Sequence, residues 1–105
     1  MLSGLAYSHA KMTSTVPADG DFVGAPENLI LTFDNAVQLT GVELNTVDGD
    51  IRDLGEFSAE RAKTFTIGIL QPLPPGEYYV VWRSIAADSH FSTGEFFFTV
   101  VTEVK

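Results

Sequence analysis

Glu77-Tyr78-Tyr79-Val80-Val81-Trp82-Arg83-Ser84-Ile85 is the stretch on which the fold turns. β-Branched and aromatic side chains dominate it, and these suit a pleated, buried surface better than a helix. The preceding Pro72-Leu73-Pro74-Pro75-Gly76 cannot belong to the same ladder, because three prolines remove backbone donors. A period of two places Tyr78, Val80 and Trp82 on one face and Tyr79, Val81 and Arg83 on the other. Trp82 is expected in a core between two sheets.

Working outward, the neighbouring segments are also short and apolar. Lys11 to Val16 alternates weakly and ends in the turn Pro17-Ala18-Asp19-Gly20. The loop Ala25-Pro26-Glu27-Asn28 precedes Leu29-Ile30-Leu31-Thr32-Phe33, which reads as a strand. Val42 to Val47 alternates, turns at Asp48-Gly49-Asp50 and returns through Ile51 to Leu54, an Asp-Gly hairpin signal. Thr64 to Leu70 is a further strand, and Ser58 to Lys63 has room for one helical turn at most. A polar loop, Ala87 to Gly94, leads to a last strand, Phe96 to Val101. About seven short strands with turns every 8 to 12 residues predict an all-β, Greek-key β-sandwich of immunoglobulin-like or cupredoxin-like type.

Composition narrows the function. The 105 residues fit one domain, expected over residues 9–105 with residues 1–8 as a leader or signal-peptide remnant. Ala6-Tyr7-Ser8 is a small-x-small triplet of the kind cleaved on export. The net charge of −8 and the lack of a basic stripe argue against nucleic acid. No apolar run is long enough for membrane insertion. The absence of cysteine removes disulfides, thiolate nucleophiles and the two-histidine, one-cysteine copper site of electron carriers.

The chain has two histidines, His9 and His90. His90 closes Asp88-Ser89-His90 in a loop between strong strands, where a scaffold can hold functional groups. In an extended stretch Asp88 and His90 would point to the same side and converge on one ion. The plainer alternative is an Asx-type turn with His90 merely exposed. His9 gains weight if processing makes it the first residue. A free α-amine of pKa near 8 and the same residue's imidazole form a chelate, which suits copper(II) together with a second imidazole and a carboxylate. Asp48-Gly49-Asp50 with Asp53 lacks the calcium-loop spacing and reads as a hairpin turn. No nucleophile elbow or phosphate-cradling glycine pattern is present.

These residues bring a known family into view. Ser8-His9-Ala10, Val16-Pro17-Ala18-Asp19-Gly20, Ala25-Pro26, Leu31-Thr32-Phe33, Leu73-Pro74-Pro75-Gly76-Glu77-Tyr78 through Trp82-Arg83, Asp88-Ser89-His90 and Thr93-Gly94-Glu95-Phe96 follow one another. As an ordered set they resemble the copper-resistance protein C (CopC) family of periplasmic copper-binding β-sandwiches. The resemblance implies a copper(II) site made by the N-terminal histidine and the Asp-x-His pair, here His9, Asp88 and His90. It implies a non-catalytic copper carrier or store of the periplasm, acting in copper resistance or homeostasis, with a membrane copper transporter of the same pathway as a partner. Some members bind copper(I) at a methionine-rich segment, whereas this chain has only Met1 and Met12. Some place a glutamate shortly after the Leu-Thr-Phe motif, where Asp34 and Asn35 stand here.

Two alternatives stay open on the sequence. An N-terminal-histidine copper centre could serve an oxidase or monooxygenase, although a ligating Asp88 would fill a position that oxygen needs. A metal-free sandwich could serve as an interaction module. With His9 internal, its amide nitrogen binds copper only after a costly deprotonation, so the chain should bind copper(II) far more weakly than a form beginning at His9.

Overall fold

The computed structural model describes residues 10–102. The expected leader and His9 lie outside the described residues. Those described form seven strands: β1 (Met12–Val16), β2 (Asp21–Val23), β3 (Asn28–Thr46), β4 (Ile51–Arg52), β5 (Ala62–Gly68), β6 (Gly76–Ala86) and β7 (Phe91–Val100). No helix among them is long and apolar enough to cross a membrane. The helical turn allowed for at residues 58–63 does not form, and β5 starts within that stretch.

The strand count agrees with expectation but is divided differently. The two strands read at Leu29 to Phe33 and Val42 to Val47 are one 19-residue strand, β3. Nothing in Leu29 to Thr40 stops it, since that stretch holds neither proline nor glycine. Its ladders shift register between Thr32 and Val37 and between Leu39 and Gly41, so β3 is irregular there without ending.

The pairings show which edge of β3 each neighbour takes. Val37 pairs with Ala62 of β5 and with Ala86 of β6, so β5 and β6 lie on opposite edges. β5 also pairs with residues 28–32, and β1 pairs with Ile30 to Phe33, which leaves β1 the same edge as β6. Both run antiparallel to β3. The start of β1 and the end of β6 therefore meet head to tail beside Asp34, Asn35 and Ala36.

The first half of β3, with β1 and β5, forms one layer of the sandwich. The second half, with β4, β6, β7 and β2, forms the other, in the path β3-β6-β7-β2. Side chains close the space between them: the Phe33 ring meets Trp82 edge-on at 5.4 Å and Phe65 at 6.3 Å. Leu29, Leu31, Phe33, Ile67, Val80, Phe96 and Phe98 are buried with them. Each fully buried side chain of this size contributes about 1.5–3 kcal/mol. As expected, Tyr78, Val80 and Trp82 face this core while Arg83 is exposed.

The polar loop expected from Ala87 to Gly94 is shorter, because β7 already begins at Phe91. Ser92, Thr93 and Gly94 look like turn formers but pair with Ser84, Arg83 and Trp82. The ladder explains them: Thr93 Oγ1 donates to the Trp82 carbonyl at 2.9 Å, and Gly94 lies under the indole. At the opposite end of the sandwich the Tyr78 hydroxyl donates to the Pro74 carbonyl at 2.6 Å, anchoring the proline-rich turn to β6. Burial pushes the Tyr78 phenol above its usual value of 10.0, with Arg52 pulling it partly back.

Candidate metal centre

β6 and β7 are joined by a tight loop whose backbone bonds are closed. Ala86 N–H donates to the His90 carbonyl at 2.9 Å, and Ser89 N–H to the Ala86 carbonyl at 2.9 Å. Ser89 has φ 69°, so three residues form a turn followed by a left-handed position. The β3–β4 hairpin is built the same way. Gly49 N–H donates to Thr46 O at 2.9 Å and Thr46 N–H to Asp50 O at 2.8 Å, with Gly49 at φ 98°. That loop uses glycine where the β6–β7 loop uses serine.

This geometry corrects the extended Asp-x-His picture. Asp88 and His90 do converge, but through a turn and not along a strand. The left-handed Ser89 folds the chain back so that His90 N–H donates to Asp88 Oδ1 at 3.0 Å. The His90 ring follows, placing Nδ1 2.7 Å from Asp88 Oδ2. The Asx-type turn and the convergence on one point were alternatives on the sequence; here the first produces the second. The Asp88 side chain is 17% exposed and that of His90 67%, so the carboxylate is braced while the ring is open to water.

The Asp88–His90 separation suits a metal. Two ligand bonds of about 2.0 Å meeting at a right angle span about 2.8 Å, the cis edge of a tetragonal complex. The observed 2.7 Å between Nδ1 and Oδ2 is a hydrogen-bond distance that is also close to that edge, so small side-chain rotations would let both atoms face one ion. A neutral imidazole and a carboxylate are donors that copper(II) accepts. Among the described residues, no group of three or more His, Cys, Asp or Glu side chains is gathered to hold a metal. Asp88 and His90 are a pair of donors, not a complete set, among the described residues.

The topology brings the start of the described chain to this place. Lys11 N–H donates to Asp34 Oδ1 at 2.7 Å, and Asp34 N–H returns a bond to the Lys11 carbonyl at 2.9 Å. Three residues farther along the same edge of β3, Val37 pairs with Ala86, the residue that closes the Asp88–His90 loop. Three extended residues span about 10 Å. The structure therefore draws Asp88 and His90 together and starts β1 on the same edge of β3. Two features escaped the sequence reading: the left-handed Ser89, which carries no glycine signal, and the use of Asp34 to hold Lys11.

Residues 12–101 match the family model of the CopC domain. Copper resistance protein C of Escherichia coli is 31% identical over 115 residues, covering 95% of this chain and 90% of that protein. Copper resistance protein C of Pseudomonas syringae pv. tomato is 32% identical over 109 residues, covering 95% and 86%. The crystal structure of PcoC, a methionine-rich copper resistance protein from E. coli, superposes with a TM-score of 0.71 at 31% identity, covering 89% of this chain and 99% of that one. CopC from Methylosinus trichosporium OB3b shares the fold with a TM-score of 0.75 at 24% identity, over 88% and 93% of the two chains.

Proposed function

The chain belongs to the CopC family, and we propose that it is a copper(II)-binding protein of copper resistance whose site is formed by His9, Asp88 and His90. The observation that carries this reading is the 2.7 Å pairing of His90 Nδ1 with Asp88 Oδ2 in the β6–β7 loop. It is a preorganised cis pair of nitrogen and oxygen donors, and the loop's closed backbone bonds hold it. His9 is two residues before Lys11, which Asp34 holds on the edge of β3 that also pairs with Ala86, and this placement supports His9 as the third donor. The set contains no soft ligand, and a hard-to-intermediate nitrogen and oxygen set favours copper(II) over copper(I).

The role is carriage or storage in the periplasm, without catalysis, and delivery to a membrane copper transporter of the same pathway. Support for carriage lies in the ligands: a carboxylate at the metal occupies a position that oxygen activation would need and stabilises the oxidised ion. Competition titration with copper(II) and electron paramagnetic resonance test the site. His90→Ala should weaken binding by at least a hundredfold, about 2.7 kcal/mol, and remove one nitrogen coupling. Unchanged affinity in His90→Ala would overturn the site. Sustained oxygen consumption by the copper-loaded protein with a reductant would replace the carrier reading with an oxidase.

A further inference from the structure

We infer that Asp34 is a positioning residue for copper binding: its carboxylate holds the first strand so that His9 is delivered to the Asp88–His90 loop. The inference rests on the His9, Asp88, His90 reading above. Asp34 follows the last paired residue of that stretch of β3, Phe33, whose partner is Met12. The β1–β3 ladder is irregular there, with a register shift between Met12 and Ser14. One backbone bond continues past that pair, with Asp34 N–H donating to the Lys11 carbonyl at 2.9 Å. The Asp34 carboxylate adds a second bond to the same residue, its Oδ1 accepting from Lys11 N–H at 2.7 Å. Asp34 is an exposed residue, so no packing requirement explains a carboxylate at this point.

The consequence is for the tether. From Lys11, His9 is two residues away and reaches at most about 7 Å. Without the carboxylate bond Lys11 keeps only the backbone bond from Asp34 N–H, so copper binding has to supply more of the ordering of this residue, which lowers the apparent affinity. Asp34 acts on the metal through Lys11 and the chain, not as a ligand.

The test uses the full chain, copper(II) alone as the probe, and four variants: Asp34→Ala, Asp34→Asn, His9→Ala, and His9→Ala with Asp34→Ala. Asp34→Ala should weaken copper(II) binding about threefold to tenfold. Asp34→Asn should restore it to within about twofold, because an amide oxygen accepts the same bond from Lys11 N–H. The paramagnetic resonance spectrum should be the same in wild type and in both Asp34 single variants. In the His9→Ala background, Asp34→Ala should have no further effect. Equal losses in both backgrounds, or a changed spectrum in Asp34→Asn, overturn the inference while leaving the His9 site standing. Full affinity in His9→Ala overturns both. Denaturant titration followed by Trp82 fluorescence confirms that each variant is folded.

Discussion

Ser89 shows how one residue can carry a site's geometry at a cost in stability. A left-handed backbone costs a non-glycine residue about 1–2 kcal/mol, because Cβ approaches a carbonyl oxygen. Gly49 takes the equivalent place in the β3–β4 loop at φ 98° without that penalty. Ser89→Gly should remove the strain and add about 0.4–1 kcal/mol of unfolded-state entropy cost in return. Strain relief wins, so the variant is expected to be about 0.5 kcal/mol more stable in denaturant titration. Copper(II) affinity should fall less than threefold, because Asp88 and His90 make the loop's metal-facing contacts themselves. A large loss of affinity would mean that the serine side chain contributes to binding. The candidate ligands stand out in the sequence as residue types, since histidine is scarce and Asp-x-His is compact. The conformation that joins them was not legible, because serine at a left-handed position gives no sequence signal where glycine would have.

Among the elements, β6 could be read almost residue by residue, and its partners much less so. Alternation in Tyr78 to Arg83 gave the buried and exposed faces correctly, since a ladder's period depends on local geometry alone. The continuity of β3 through Asp34 and Asn35 was missed because two polar residues resemble a turn when the pairing partners are unknown. β7 was read as starting too late for a related reason: Ser92, Thr93 and Gly94 are small and polar, but opposite Trp82 a small residue is what the indole requires. A Cβ built on Gly94 would lie 2.6 Å from Trp82 Cζ2, and Trp82 is 8% exposed in the core. Gly94→Ala should therefore cost about 1–3 kcal/mol by overpacking, seen as a lower denaturation midpoint. Gly41 provides the control in the same layer. Its added Cβ would meet the exposed guanidinium of Arg83 at 2.7 Å, and a flexible side chain can swing away. Gly41→Ala should cost well under the Gly94 variant; equal costs would contradict the rigid-indole account.

At the scale of the whole molecule, the sandwich places its turn-rich, proline-anchored end around Tyr78 and Pro74, and its candidate metal end where β1, the middle of β3 and the β6–β7 loop meet. β1 and β6 share one edge of β3, so the start of β1 and the end of β6 follow each other along that edge, an arrangement that no local pattern in the sequence reveals. With the proposed His9 site, copper affinity should depend on how the chain begins. A form starting at His9 adds an α-amine to the imidazole, and at pH 7 displacing its proton costs about 1.4 kcal/mol for a pKa near 8. With His9 internal, the same position is an amide nitrogen, whose deprotonation costs far more, so that donor is withheld. Copper(II) should therefore bind the form that begins at His9 at least a hundredfold more tightly than the 105-residue chain, measured by competition titration at pH 7. Protons compete with the metal for the amine, so below pH 7 the affinity of the His9-first form should fall more steeply, by about a further tenfold per unit. Equal affinities, or parallel pH profiles, would show that the α-amine is not a ligand and that the site relies on side chains alone.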